Sequence, residues 1–123
     1  MAGLTPSLNK TEFKASVIRH LHSTLGTDEN KADNHAWWKA TSAAVQELVL
    51  EGLRKTQKTH YMNDTRAVHY LSAEFLMGRL LSNNMHNFGV FTEAEKALKE
   101  LGVNLTDVLE EEPDMALGNG GLG

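Results

Sequence analysis

The sequence predicts a mostly α-helical chain, with four to five helices and one short strand. Three observations carry this expectation. Apolar residues recur every three to four positions in several separate stretches, bounded by capping or turn residues. Only Ala67-Val68-His69-Tyr70-Leu71 switches to a short β-branched and aromatic run. The chain ends on Gly118-Asn119-Gly120-Gly121-Leu122-Gly123, and such glycine-rich loops ordinarily connect ordered elements. One strand cannot satisfy its own backbone groups or make a sheet. The lone strand and the glycine run therefore both suggest a piece of a larger unit.

The first helix is expected to start at Asn9, with Glu12 three residues on in the pattern of a capping box. Phe13, Val17, Leu21 and Leu25, with Ile18 alongside, form its apolar stripe, and Gly26 is placed to end it. Residues 27–34 are polar and read as a loop. The second helix runs from about Asp33 to about Thr59, with Trp37, Trp38, Ala44, Val45, Leu48, Val49 and Leu53 on its apolar face. Arg54, Lys55 and Lys58 put positive charge at its end, where the helix dipole favours it. After the strand, a third helix is expected over about Phe75 to Asn87, with Met77, Leu81, Met85 and Phe88 in its stripe. A fourth begins at Thr92, with Glu95 completing a capping box, and buries Ala94, Ala97, Leu98 and Leu101 before Gly102. A short helical turn from Asn104 to about Glu110 is stopped by Pro113, and Glu110 to Glu112 read as its solvated end.

Composition removes several functions. Twelve basic and 16 acidic residues give a net charge of −4, without the clustered positive surface that phosphate backbones require. No nucleic-acid partner is expected. No apolar run approaches the roughly 20 residues that cross a bilayer, so no membrane partner is expected either. The absence of cysteine removes disulfides, thiol nucleophiles and thiolate metal sites. The histidines lack ligand spacing: His20 and His22 lie two apart on a helix and face different ways. No metal site is expected. The N-terminus has neither the basic nor the apolar region of a signal peptide, which makes the cytoplasm the expected location.

Two segments could carry chemistry. Gly118-x-Gly120-x-x-Gly123 matches the letters of a dinucleotide fingerprint, but that motif needs a strand before it, and the residues from Glu110 to Leu117 make a poor one. Two readings remain, an inert tail and an anion cradle. In the second, glycine amides approach a phosphate with no Cβ in the way. The other segment is Tyr70 to Arg79, which places Glu74 at a strand-to-helix junction. A carboxylate there serves either a site or simply the start of a helix.

Taken together, these segments resemble the α-glucan phosphorylases, the glycogen, starch and maltodextrin phosphorylase family. The resemblance is carried by His69-Tyr70-Leu71-Ser72-Ala73-Glu74-Phe75-Leu76-Met77-Gly78-Arg79-Leu80, then Asn83-Asn84, the stretch from Asn104 to Glu112, and Ala116 to Gly123. It covers roughly residues 10–123 and is most like bacterial members. It implies an enzyme several times longer, with two Rossmann-like domains around pyridoxal phosphate. Such an enzyme transfers terminal α-1,4-linked glucosyl units of a glucan to inorganic phosphate. The chain would then be the start of the N-terminal domain, with residues 1–62 a helical arm and residues 63–123 the beginning of the α/β core. The resemblance further implies that Gly120 and Gly121 turn their amides to phosphate oxygens, that Asn119 holds the loop, and that Leu122 lies near the glucosyl unit. Glu74 and Leu76 would lie near the cofactor, with Glu74 in a positioning role. Animal members carry a tyrosine at the position of Leu76, so that hydroxyl contact is missing.

The Schiff-base lysine lies in the other domain of the family, so no catalytic residue is assigned here and the 123 residues alone are expected to be inactive. A homodimer is expected for the full-length enzyme. No counterpart of the animal phosphorylation segment precedes the first helix, and Thr56 to Tyr61 diverge from the nucleotide-activator region. Two other classes compete. One is a stand-alone helical interaction module with an inert glycine tail. The other is a piece of a dinucleotide-binding enzyme, disfavoured for want of the preceding strand.

Overall fold

The computed structural model describes residues 8–118. In chain order the elements are α1 (Lys10–Ser23), α2 (Asn34–Met62), β1 (Glu74–Gly78), α3 (Leu81–Asn87), α4 (Phe91–Glu100), α5 (Leu105–Glu110) and β2 (Met115–Gly118). Among the described residues the chain is mostly α, as expected, with two strands rather than one.

The helix starts follow local chemistry where a short polar side chain is available. Asn9 accepts from the Glu12 N–H at 2.9 Å, and Glu12 returns a bond to the Asn9 N–H, completing the capping box. Asp33 caps α2 by accepting from the Ala36 N–H at 2.8 Å. Asn104 caps α5 through Thr106. The fourth helix departs from expectation. It starts at Phe91 after Val90, and the Thr92–Glu95 box does not form. Packing decides this start: Val90 is buried, and the Phe91 ring stacks on His86 at 4.2 Å. Burial of Val90 and partial burial of Phe91 outweigh a cap worth about 1 kcal/mol.

One core joins the helices. Phe13, Val17 and Leu21 of α1 meet Trp37, Ala44, Val45 and Leu48 of α2, Met85 of α3, Ala94, Ala97 and Leu98 of α4, and Leu105 and Val108 of α5. Helix α1 packs on both α2 and α4, and α2 also meets α3 and α5. Only the first half of α2 is held in this way. Leu50, Leu53, Tyr61 and Met62 on its second half are exposed.

Two expectations between residues 65 and 87 are overturned. Ala67 to Leu71 is not a strand. It carries no regular secondary structure and is exposed, with Val68 at 98% and Leu71 at 90% of full exposure, so its backbone is open to water in place of a neighbouring strand. The strand lies further on, at β1, because β2 offers it a partner. The pair is antiparallel, with Glu74 opposite Gly118, Phe75 opposite Leu117, Leu76 opposite Ala116 and Gly78 opposite Met115. A bulge falls between Leu76 and Gly78. The helix expected from Phe75 therefore begins only at Leu81. Met77, expected in its stripe, is 40% exposed, whereas Met85 is core.

Candidate functional site

The expected site has two halves, and β1–β2 pairing brings their described ends together. Gly118, the last described residue before the glycine run, lies opposite Glu74 in the ladder. Paired residues and their i+2 neighbours share a face. Glu74, Leu76, Ala116 and Gly118 therefore lie on one side of the ribbon. Glu74 is half-buried and Leu76 is 81% exposed. Opposite them stand a methyl group and a hydrogen, which leaves a shallow face beside a carboxylate. Asn119, Gly120, Gly121 and Leu122 lie outside the described residues.

Gly118 has a structural reason of its own. Its φ is +98°, and a Cβ built on it would stand 2.2 Å from the Ala73 carbonyl oxygen and 2.9 Å from the Glu74 Cα. The two backbones approach too closely for any side chain. Just upstream, Ser72 Oγ donates to the Glu74 carbonyl at 2.6 Å and accepts from the Glu74 N–H at 3.2 Å, which tightens the entry to β1.

Glu110 and Glu111 are exposed at the end of α5, as expected of a solvated helix end, but Glu112 turns back into the fold. Glu112 Oε1 accepts from the Leu80 N–H at 2.8 Å, and its two oxygens accept from the Leu81 N–H at 3.2 and 3.1 Å. The N-terminus of α3 has no side-chain cap of its own, so Glu112 supplies one from 31 residues away. Arg79 Nη1 lies 3.1 Å from Glu110, which holds the Arg79 guanidinium above its ordinary pKa. His35 Nδ1 is 3.6 Å from Glu111. Reading along the chain misses these contacts, since no local pattern marks a carboxylate as the cap of a distant helix.

Beside this clasp, α2, α3 and the approach to β2 enclose an open groove of about 410 Å³. Trp38, Val49, Asn84, Glu112 and Met115 line it. Trp38 Nε1 is buried without a hydrogen-bond partner among the described residues. Trp37 is core, as expected for one of the pair.

The other charged cluster ties α1 to α2. Glu47 Oε2 accepts from Arg19 Nη2 and from Ser16 Oγ, both at 2.8 Å. Glu47 Oε1 stands 3.1 Å from His20 Nε2, but no directed hydrogen bond forms there. The Arg19 bond, against some desolvation and with help from Ser16, holds the Glu47 carboxyl down at about 2. No group of three or more metal-ligating side chains occurs among the described residues. No described helix is long and apolar enough to cross a membrane.

A strand, β2, does run into Gly118 of the expected dinucleotide fingerprint, where the sequence made a poor one. It pairs antiparallel with β1, which is not the parallel strand–helix–strand arrangement of that motif. The chain's likeness to known proteins lies elsewhere. Glycogen phosphorylase of Pasteurella multocida is 45% identical to it over 118 residues, 96% of this chain and 14% of that protein. The Haemophilus influenzae glycogen phosphorylase is 43% identical over 118 residues, and the human muscle form 38% identical over 121. The chain belongs to the glycogen phosphorylase family and spans about 14% of the length of the curated relatives it matches. No protein-family model matches the chain.

Proposed function

We propose that the chain is the opening portion of an α-1,4-glucan phosphorylase, an enzyme that cleaves terminal glucosyl units with inorganic phosphate to give glucose 1-phosphate. The observation that carries this reading is the 45% identity over 96% of the chain to a relative named as glycogen phosphorylase. In this reading residues 1–62 are a helical arm and residues 63–123 begin an α/β core. The parent enzyme is a cytoplasmic homodimer.

Asn119, Gly120, Gly121 and Leu122 serve the phosphate and the glucosyl unit, and Glu74 and Leu76 lie beside pyridoxal phosphate. The ribbon fits the edge of such a cofactor. It offers one carboxylate, one exposed apolar side chain and, opposite them, Ala116 and Gly118 with almost no bulk. When bound, the cofactor would supply a phosphate group with acid and base capacity toward the substrate phosphate. This chain's residues bind and orient. Backbone amides of the glycine run hold oxyanions without adding a charged side chain that would compete for the cationic sugar. Glu74, anchored by its backbone in the ladder, presents a fixed negative charge beside that centre.

The test is a chimera in which these 123 residues replace the matching stretch of the Pasteurella multocida enzyme. Cofactor absorbance and glucose 1-phosphate release from maltodextrin and phosphate are expected, and none from the 123 residues alone. A chimera that folds and binds cofactor yet releases no glucose 1-phosphate rejects the reading.

A further inference from the structure

A serine hydroxyl can reach the backbone two residues on, and the bond fixes the turn between them. Ser72 does this twice over. Its Oγ donates to the Glu74 carbonyl at 2.6 Å and accepts from the Glu74 N–H at 3.2 Å. Among the described residues these are the hydrogen bonds that Glu74 makes outside the β1–β2 ladder. No described side chain holds its carboxylate. The direction of that carboxylate therefore follows from how its backbone is held.

A second contact closes the same turn from the far side. The rings of Tyr70 and Phe75 meet edge to face, with centroids 5.4 Å apart. Successive strand residues point to opposite faces, so Phe75 and its partner Leu117 lie on the face away from Glu74. The aromatic pair occupies that side of the ribbon, and Glu74 is left to the other, with Leu76, Ala116 and Gly118. Ala73, inside the turn, sets its carbonyl oxygen too close to Gly118 for a Cβ there. An opened turn would shift this carbonyl and the Glu74 backbone together.

From these contacts we infer that Ser72 is a positioning residue for Glu74. Its hydroxyl, bound to both polar backbone groups of Glu74, fixes the direction in which the carboxylate leaves β1. What that carboxylate faces, the cofactor and the reacting phosphate, rests on the phosphorylase reading, whereas the lock between Ser72 and Glu74 does not.

The test uses the full-length chimera and its Ser72→Ala, Ser72→Thr and Glu74→Gln variants. Hydrogen exchange is read on overlapping peptides that cover residues 72–78. In Ser72→Ala the Glu74 amide is expected to exchange about tenfold faster, with α1 and α2 unchanged. Ser72→Thr, which keeps the hydroxyl, is expected to match the parent. Unchanged exchange in Ser72→Ala overturns the inference. Equal acceleration through α1 and α2 overturns it too, because Ser72 would then support the whole fold.

Kinetics of the same proteins separate positioning from support of the fold. Ser72→Ala is expected to lower kcat about tenfold, with KM for phosphate and maltodextrin within about twofold and cofactor absorbance retained, and Ser72→Thr to restore kcat. Added to Glu74→Gln, Ser72→Ala is expected to change kcat by less than about twofold, since the charge it orients is already gone. An unchanged kcat in Ser72→Ala, a fall matched by loss of cofactor, or a second full loss in the double variant overturns the positioning role. An unsubstituted chimera that binds cofactor yet releases no glucose 1-phosphate sinks the phosphorylase reading, while the exchange measurement still decides whether Ser72 holds Glu74.

Discussion

Replacing Gly118 by alanine adds one methyl group where the structure has no room for it. The new Cβ would stand 2.2 Å from the Ala73 oxygen, whereas carbon and oxygen in contact settle at about 3.3 Å or more. The obstacle is backbone, so no side-chain rotation relieves it. The φ of +98° is itself costly for a residue with a Cβ, by about 1–3 kcal/mol. A two-stranded ribbon is barely stable in water, so about 2 kcal/mol is enough to open it. That corresponds to roughly a thirtyfold rise in the open population. Hydrogen exchange of the 123-residue chain should show the β1 and β2 amides losing protection by about that factor. The thermal midpoint followed by helical circular dichroism should hold, because the core belongs to the helices. If the Gly118→Ala variant keeps its ribbon amides protected, the close approach of Gly118 to Ala73 is wrong, and so is its role as a ladder glycine.

Other substitutions probe the helical body. Phe13→Ala empties a fully buried site between α1 and its neighbours and should lower unfolding stability in urea by about 3–5 kcal/mol. Asp33→Ala removes the side-chain cap of α2 and should cost about 1 kcal/mol in the same assay, with Asp33→Ser recovering most of it. Glu47→Gln should matter only where Glu47 is ionised. The Arg19 bond lowers its pKa from 4.5 to about 2, so its contribution is present above the ordinary carboxylate range and is lost as pH falls toward 2. The parent and Glu47→Gln stabilities should differ by about 1 kcal/mol or less at pH 7, since the side chain is 42% exposed, and should converge near pH 2.

The helical half of the fold is legible in the sequence because its signals are local. Asn9 with Glu12, and Asp33 ahead of the tryptophans, cap their helices within three or four residues, and the α1 stripe becomes core. The departure at Thr92 marks the limit of such signals. The capping pattern is there in the residues, but burial of Val90 in the core and stacking of Phe91 on His86 set the start, and a capping pattern registers neither. The segment from Ala67 to Gly78 departs from its local pattern for a related reason. Strand propensity favours Val68, Tyr70 and Leu71, yet a strand exists only where another strand offers a ladder. Here that ladder comes from Met115 to Gly118, and its register admits Glu74 to Gly78 instead.

The acidic run shows what kind of information a linear reading lacks. Three successive glutamates followed by proline look like a solvated helix end, and nothing in their composition distinguishes Glu112 from its neighbours. Their fates differ because three different segments approach them: the exposed guanidinium of Arg79 at Glu110, the His35 ring at Glu111, and two backbone amides at Glu112. Of these, only backbone amides are present whatever the side chain at positions 80 and 81. A carboxylate that reads backbone imposes no requirement on its partners' identity, so no sequence pattern links the two ends. Glu112 is recognisable as the cap of α3 only by its bonds.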